Sequence, residues 1–223
     1  MHRITIVLFG ALTCWWACHA QGASVWTEGK EYDVIKSPQR TNVAPGKIEV
    51  MEVFSYACVF CDKFQPIVEK LQRRLPLNAQ LVLLPAAFNQ AEDWPMFQRA
   101  YFAAQQMGIA GRTHQAVFDA VWKTGELSIE KQPQPSLEDA ARWYARIAGV
   151  KPGDFLAAAH SFGVDNKIRV ADDEIAAMQI PGTPCIVVNG KYRVNMNANL
   201  SSDQLIGLVG YLVGKETPAT AAK

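Results

Sequence analysis

Charge of one sign is missing from this chain: 22 Lys and Arg face 21 Asp and Glu. A protein that binds the phosphate backbone of nucleic acid needs a basic excess, so that class of partner is excluded. Long hydrophobic runs are missing too. The apolar stretch from Ile4 to Cys18 is 15 residues, against about 20 for a helix that spans a bilayer. Cysteine is sparse, at 5 in 223 residues, too few for a fold stapled by disulfides. Internal repeats are absent, and with them solenoid and collagen architectures. What remains is ordinary globular composition, 49% hydrophobic and 19% charged, enough for a large core and too apolar for disorder.

The first twenty residues read as a targeting segment. Arg3 precedes the apolar stretch, and Cys18-His19-Ala20 puts small side chains where a signal peptidase cuts. A secretory signal cleaved after Ala20 is expected. The alternatives are a buried first helix, or a lipoprotein with Cys18 as the lipidated residue. Cleavage would remove Arg3, Cys14 and Cys18, leaving a neutral chain with Cys58, Cys61 and Cys185. Export would put those thiols where disulfides persist.

The mature sequence alternates strand and helix signals. Lys30 to Ile35 fits a short edge strand, and Lys47 to Tyr56 is β-branched and aromatic. Phe64, Ile67, Val68, Leu71 and Leu75 recur at helical spacing up to Pro76. Leu81-Val82-Leu83-Leu84 is a continuous apolar run, as expected for a strand buried on both faces. From Ala91 to Gln179 only helices are expected. One of them starts at Ser136 with an acid at N3, another near Pro152, and another covers Asn166 to Met178. Cys185-Ile186-Val187-Val188, the turn Asn189-Gly190 and Lys191 to Val194 make a hairpin. Ser201 with Gln204 caps a last helix. The fold class is α/β, a strand–helix–strand and hairpin–helix sandwich with a helical block inserted in its middle.

Cys58-Val59-Phe60-Cys61 falls where a strand ends and a helix begins. The unsatisfied N–H groups and partial positive charge of a first helical turn favour a thiolate there. The first cysteine of such a pair is expected to be the exposed one, capping the helix, and the second to lie a turn inside. A pair so placed can close to a disulfide and reopen by thiolate attack. Two other readings remain open: half of a zinc site, with His114, His160 and Cys185 the remaining ligand candidates, and a structural disulfide closing a very short loop. The second motif is Gly182-Thr183-Pro184, a proline opening a strand.

Taken together, Phe54-Ser55-Tyr56-Ala57-Cys58-Val59-Phe60-Cys61, Gly182-Thr183-Pro184 and Val188-Asn189-Gly190-Lys191-Tyr192 resemble the thioredoxin superfamily, and within it the bacterial DsbA-like thiol–disulfide oxidoreductases. Trp26 to Tyr32 is similar to that family's first strand. The resemblance implies a thioredoxin-like fold with an inserted α-helical domain: a signal peptide at 1–20, thioredoxin-like parts at 21–88 and 172–223, and the insertion at 89–171. It implies Cys58 as nucleophile, Cys61 as resolving thiol and Pro184 as a cis-proline facing the pair. The Thr183 backbone would hold an extended substrate, and Glu52 would be a buried acid exchanging protons with Cys61. The other expectation for Glu52 is an outward-facing strand residue. No cofactor and no metal are implied. The implied setting is the periplasm, with unfolded or reduced exported proteins as substrates. A DsbB-like, quinone-linked membrane oxidoreductase would be the redox partner of a monomer.

Two departures stand out. The family usually carries Pro-His between the cysteines; here Val59-Phe60 replaces it. Phenylalanine offers the thiolate neither charge nor a side-chain hydrogen bond, so a weaker oxidant is expected. Phe60 is also a candidate substrate contact. Cys185, directly after Pro184, is expected to be buried and inert, the alternative being a third redox thiol. His114 and His160 are expected to be packing or surface residues. A reductase or isomerase using the same pair, and a chaperone binding peptides beside Pro184 without turnover, are the alternative functions.

Overall fold

The computed structural model describes residues 26–218. The expected leader and its cleavage site lie outside them. Twelve elements run in the order β1 (Tyr32–Val34), β2 (Ile48–Phe54), α1 (Val59–Arg74), β3 (Ala79–Pro85), α2 (Trp94–Gln106), α3 (Ala110–Trp122), α4 (Leu137–Ala148), α5 (Pro152–Ala159), α6 (Phe162–Ala177), β4 (Cys185–Val188), β5 (Tyr192–Val194) and α7 (Ser202–Glu216).

The strands form one sheet in the order β1-β5-β4-β2-β3. β2 and β3 run parallel across the α1 crossover, and β4 and β5 add antiparallel, as a hairpin must. Strand periodicity divides β2 between two cores. On one face Ile48 and Val50, with Ile186 and Val188 of β4, pack against Phe64, Val68 and Leu71 of α1 and Leu208, Val209 and Leu212 of α7. On the other, Met51 and Val53 with Val187 meet the helical block through Phe97, Tyr101, Phe118 and Tyr144. Burying each such side chain is worth roughly 1.5–3 kcal/mol. The fold is therefore a thioredoxin-like sandwich whose second face is covered by five inserted helices.

Three local expectations are met and three are corrected. Ser136 with Asp139 and Ser201 with Gln204 both form reciprocal capping boxes, and the second hairpin strand runs Tyr192–Val194. β3, expected to be buried on both faces, is instead the edge of the sheet, and Ala79 to Leu83 are only partly covered. An apolar run cannot distinguish a central strand from an edge strand one of whose faces packs. The helix expected from Asn166 begins at Phe162, because Ser161 accepts a hydrogen bond from the Val164 N–H and caps it there. Trp26 to Gly29 precede the first strand; only Glu28 makes an isolated bridge, to Tyr32.

The Asn189-Gly190 turn closes the hairpin with both residues at positive φ, 53° and 63°, the conformation two-residue hairpin loops favour. The Gly190 carbonyl also accepts from the Gln39 N–H at 3.0 Å, and a Cβ at Gly190 would overlap the Gln39 carbonyl. Gly190→Ala should therefore cost about 2–4 kcal/mol, read as a lower urea midpoint at unchanged slope.

Candidate active site

β2 delivers the chain to the top of the sheet, and α1 starts immediately beyond it. Cys58 is the N-cap of α1, extended at φ −101° and ψ 110°. Its carbonyl accepts from the N–H groups of Cys61, at 3.0 Å, and Asp62, at 3.2 Å. The first turn thus closes around the pair. Both thiols are reduced. Cys61 is fully buried, one turn inside, as expected. Cys58 is also mostly covered, at 6% exposure. This corrects the expectation of an exposed first cysteine: the loop before β4 lies over it, with the Thr183 carbonyl 3.5 Å from Cys58 Sγ, an acceptor for the neutral thiol. The peptide bond between Thr183 and Pro184 is cis.

The two sulfurs are electrostatically unequal. The hydrogen bond from the Cys61 thiol is the largest influence holding the Cys58 pKa down, to about 6, with Thr183 and the backbone N–H groups of Cys61 and Phe60 adding to it. The Cys61 thiol is pushed far up, first by burial and then by its neighbour Cys58. At neutral pH the reduced pair is a Cys58 thiolate beside a Cys61 thiol. Phe60 supplies only its N–H; its ring is 66% exposed, with Lys63 Nζ 6.0 Å from its centroid.

Glu52 is fully buried, so the outward-facing reading is set aside. It sits on the α1 face of β2. The Gln65 amide, one turn beyond Cys61, donates to its Oε1 at 3.5 Å, while Oε2 has no partner. Burial, with a smaller contribution from the charge of Cys58, raises its pKa to about 8 against this hydrogen bond. Gln65 was not legible as a site residue, although its i+4 spacing from Cys61 places it on the same helical face.

Phe60 and Phe64 of α1, Gly182 to Cys185, and Arg193 to Asn197 line an open groove of about 640 Å³ beside the pair. Of the residues expected at the site, Phe60, Thr183 and Pro184 meet there. Cys185 is 2% exposed, and burial pushes its thiol up to about 12, so it is no nucleophile at neutral pH. His114 is a packing residue, its Nδ1 2.9 Å from the Tyr56 hydroxyl amid Phe54, Tyr101 and Phe118; burial lowers its pKa to about 4. His160 lies exposed at the end of α5. Among the described residues no group of three or more His, Cys, Asp and Glu side chains could hold a metal ion.

A family model, the DSBA-like thioredoxin domain, matches residues 49–206, from β2 to α7. The chain belongs to this family. It is 33% identical over 200 residues to the thiol:disulfide interchange protein DsbA of Pseudomonas aeruginosa, covering 90% of each chain. It is 32% identical over 203 residues to that of Pseudomonas syringae pv. tomato, covering 91% of this chain and 90% of that one. Among solved structures, the DsbA oxidoreductase of Xylella fastidiosa superposes with a TM-score of 0.77 at 32% identity, over 86% of this chain and 98% of that chain. The P. aeruginosa DsbA structure gives 0.73 at 33%, over 86% and 94%. This chain is accordingly a DsbA-like thiol:disulfide oxidoreductase. Among its described residues no helix is long and apolar enough to cross a membrane.

Proposed function

We propose that this DsbA-family protein oxidises reduced exported proteins in the periplasm through the Cys58–Cys61 disulfide. A client thiolate attacks Cys58 Sγ, the Cys58–Cys61 bond breaks, and Cys61 leaves, taking up a proton for which Glu52 is the buried source. A second client thiolate attacks the client sulfur of the mixed disulfide and expels Cys58 as thiolate. The client loses two electrons and the pair gains them. A DsbB-like quinone-linked membrane protein would take them off again. The working form is a monomer, cut after Ala20, with thioredoxin-like parts at 21–88 and 172–223 around an insertion at 89–171. The boundary at 171/172 falls inside α6. Thr183 and Pro184 border the groove that receives the client, with Phe60 at its rim.

The observation that carries the direction is the placement of Cys58 at the N-cap of α1, where the Cys61 thiol and the N–H groups of the first turn hold its pKa down. A stabilised thiolate stabilises the reduced pair and makes the disulfide oxidising. The Cys58 pKa of about 6 lies between roughly 3.5 for DsbA and roughly 7 for thioredoxin. The reduction potential in glutathione buffers should therefore be more oxidising than thioredoxin's roughly −270 mV and less so than DsbA's roughly −120 mV. Phe60→His, which restores a donor beside the thiolate, should raise it by roughly 30–60 mV. A value near the roughly −270 mV of thioredoxin would instead favour the reductase or isomerase reading.

A further inference from the structure

The groove beside the cysteine pair carries an asymmetry that the redox chemistry does not use. Its walls mix apolar and polar side chains, and its charges are Asp33, Lys63 and Arg193. Arg193 is consumed: it pairs with Asp33 at 3.0 Å and donates to the Met178 and Gln179 carbonyls. Those two charges cancel and hold the β1–β5 edge together. Lys63 is exposed, has no ion pair among the described residues, and lies 6.0 Å from the centroid of the Phe60 ring. The groove therefore presents one uncompensated cation at its rim, held near the exposed face of an aromatic ring.

We propose that Lys63 makes the groove favour client segments bearing a carboxylate close to the reacting cysteine. Lys63 lines the same groove as Thr183 and Pro184, so a client held there by its cysteine passes the ammonium. Side chains two apart on an extended segment share a face, so a carboxylate at that spacing projects on the same side as the cysteine and serves as the probe. The Phe60 ring offers apolar surface to the residue between them and limits the directions Lys63 samples. A single rim charge of this kind acts mainly on the rate of productive encounter and is weakened by salt.

The proposal rests on Cys58 as the attacked sulfur, and the experiment separates the two. Three reduced peptides, identical except for Glu, Gln or Lys two residues from a single cysteine, are mixed with the oxidised protein, and mixed-disulfide formation is followed by stopped flow. Each rate is divided by that peptide's rate with the uncharged bis(2-hydroxyethyl) disulfide, which removes the effect of the charge on the peptide's own thiol. The Glu peptide should react roughly three- to tenfold faster than the Gln peptide at low salt, and the Lys peptide slower. The order should collapse in 1 M NaCl, where the screening length is about 3 Å. In Lys63→Gln the Glu-to-Gln ratio should fall to about one. Equal normalised rates, or a preference that persists in Lys63→Gln, would overturn the assignment while leaving the redox reading intact. Failure of all three peptides to react at Cys58 would overturn both.

Discussion

Cys61→Ala should halt the protein at the mixed disulfide and raise the pKa of Cys58 by one unit or more. The first effect follows from position. With Cys58 covered by the Thr183 loop and Cys61 one turn inside, no other thiol of the protein is placed to displace a bound single-cysteine client; Cys185 is buried and protonated. The variant's Cys58 thiolate should attack oxidised glutathione, release one glutathione thiolate and keep the other half as a stable adduct visible by intact mass. Catalysed client oxidation should fall to background. The second effect is more specific. The Cys61 thiol is the largest influence lowering the Cys58 pKa, and alanine removes that donor while leaving Thr183 and the N–H groups of the first turn. The pH midpoint of Cys58 alkylation should move from about 6 to 7 or above. At pH 6 that is roughly a fivefold loss of thiolate. An unmoved midpoint would assign the stabilisation to the helix terminus instead. The variant should still fold, since the lost sulfur leaves a cavity worth only about 1 kcal/mol.

The parts of this site that were legible in the sequence are those fixed by local geometry. A strand-to-helix junction places Cys58 and Cys61 without reference to the rest of the chain, and the Asn189-Gly190 turn fixes its hairpin register in the same way. Pro184 could be placed against the pair only through the resemblance, because 122 residues separate it from Cys61 and only the fold closes that gap. The same limit hid the burial of Cys58, which depends on the Thr183 carbonyl coming over it. It also hid Gln65: nothing local distinguishes its amide from any polar residue on a helix until β2 puts Glu52 opposite it. β3 was misjudged because burial is a property of its neighbours. The helical block covers the upper half of that strand and leaves its start half open.

Glu52→Gln should stabilise the reduced protein by about 3 kcal/mol at pH 7 and slow its chemistry. An unfolded glutamate ionises near 4.5, whereas Glu52 in the fold is held protonated up to about 8. Its folded pKa lies above its unfolded value, so the fold is relatively favoured at low pH and loses stability as pH rises from about 4.5 to about 8. At pH 7 the unfolded chain has gained about 2.5 units of ionisation that the fold denies, at 1.36 kcal/mol each. Glutamine has the same shape, can still accept from Gln65 and does not ionise. Urea curves for the two proteins should therefore nearly coincide at pH 4 and separate progressively up to pH 8. A constant difference at all pH values would mean that Glu52 is not protonated in the fold. The cost of the substitution is kinetic. Cys61 must leave as a sulfur that its surroundings strongly prefer protonated, and glutamine has no proton to give. Mixed-disulfide formation with a reduced peptide should slow by roughly ten- to a hundredfold near pH 7. The deficit should shrink for a wild type measured above pH 8, where its own Glu52 has lost the proton. The two measurements together separate a proton donor, which would weaken the fold and speed the exchange, from a residue that merely fills space.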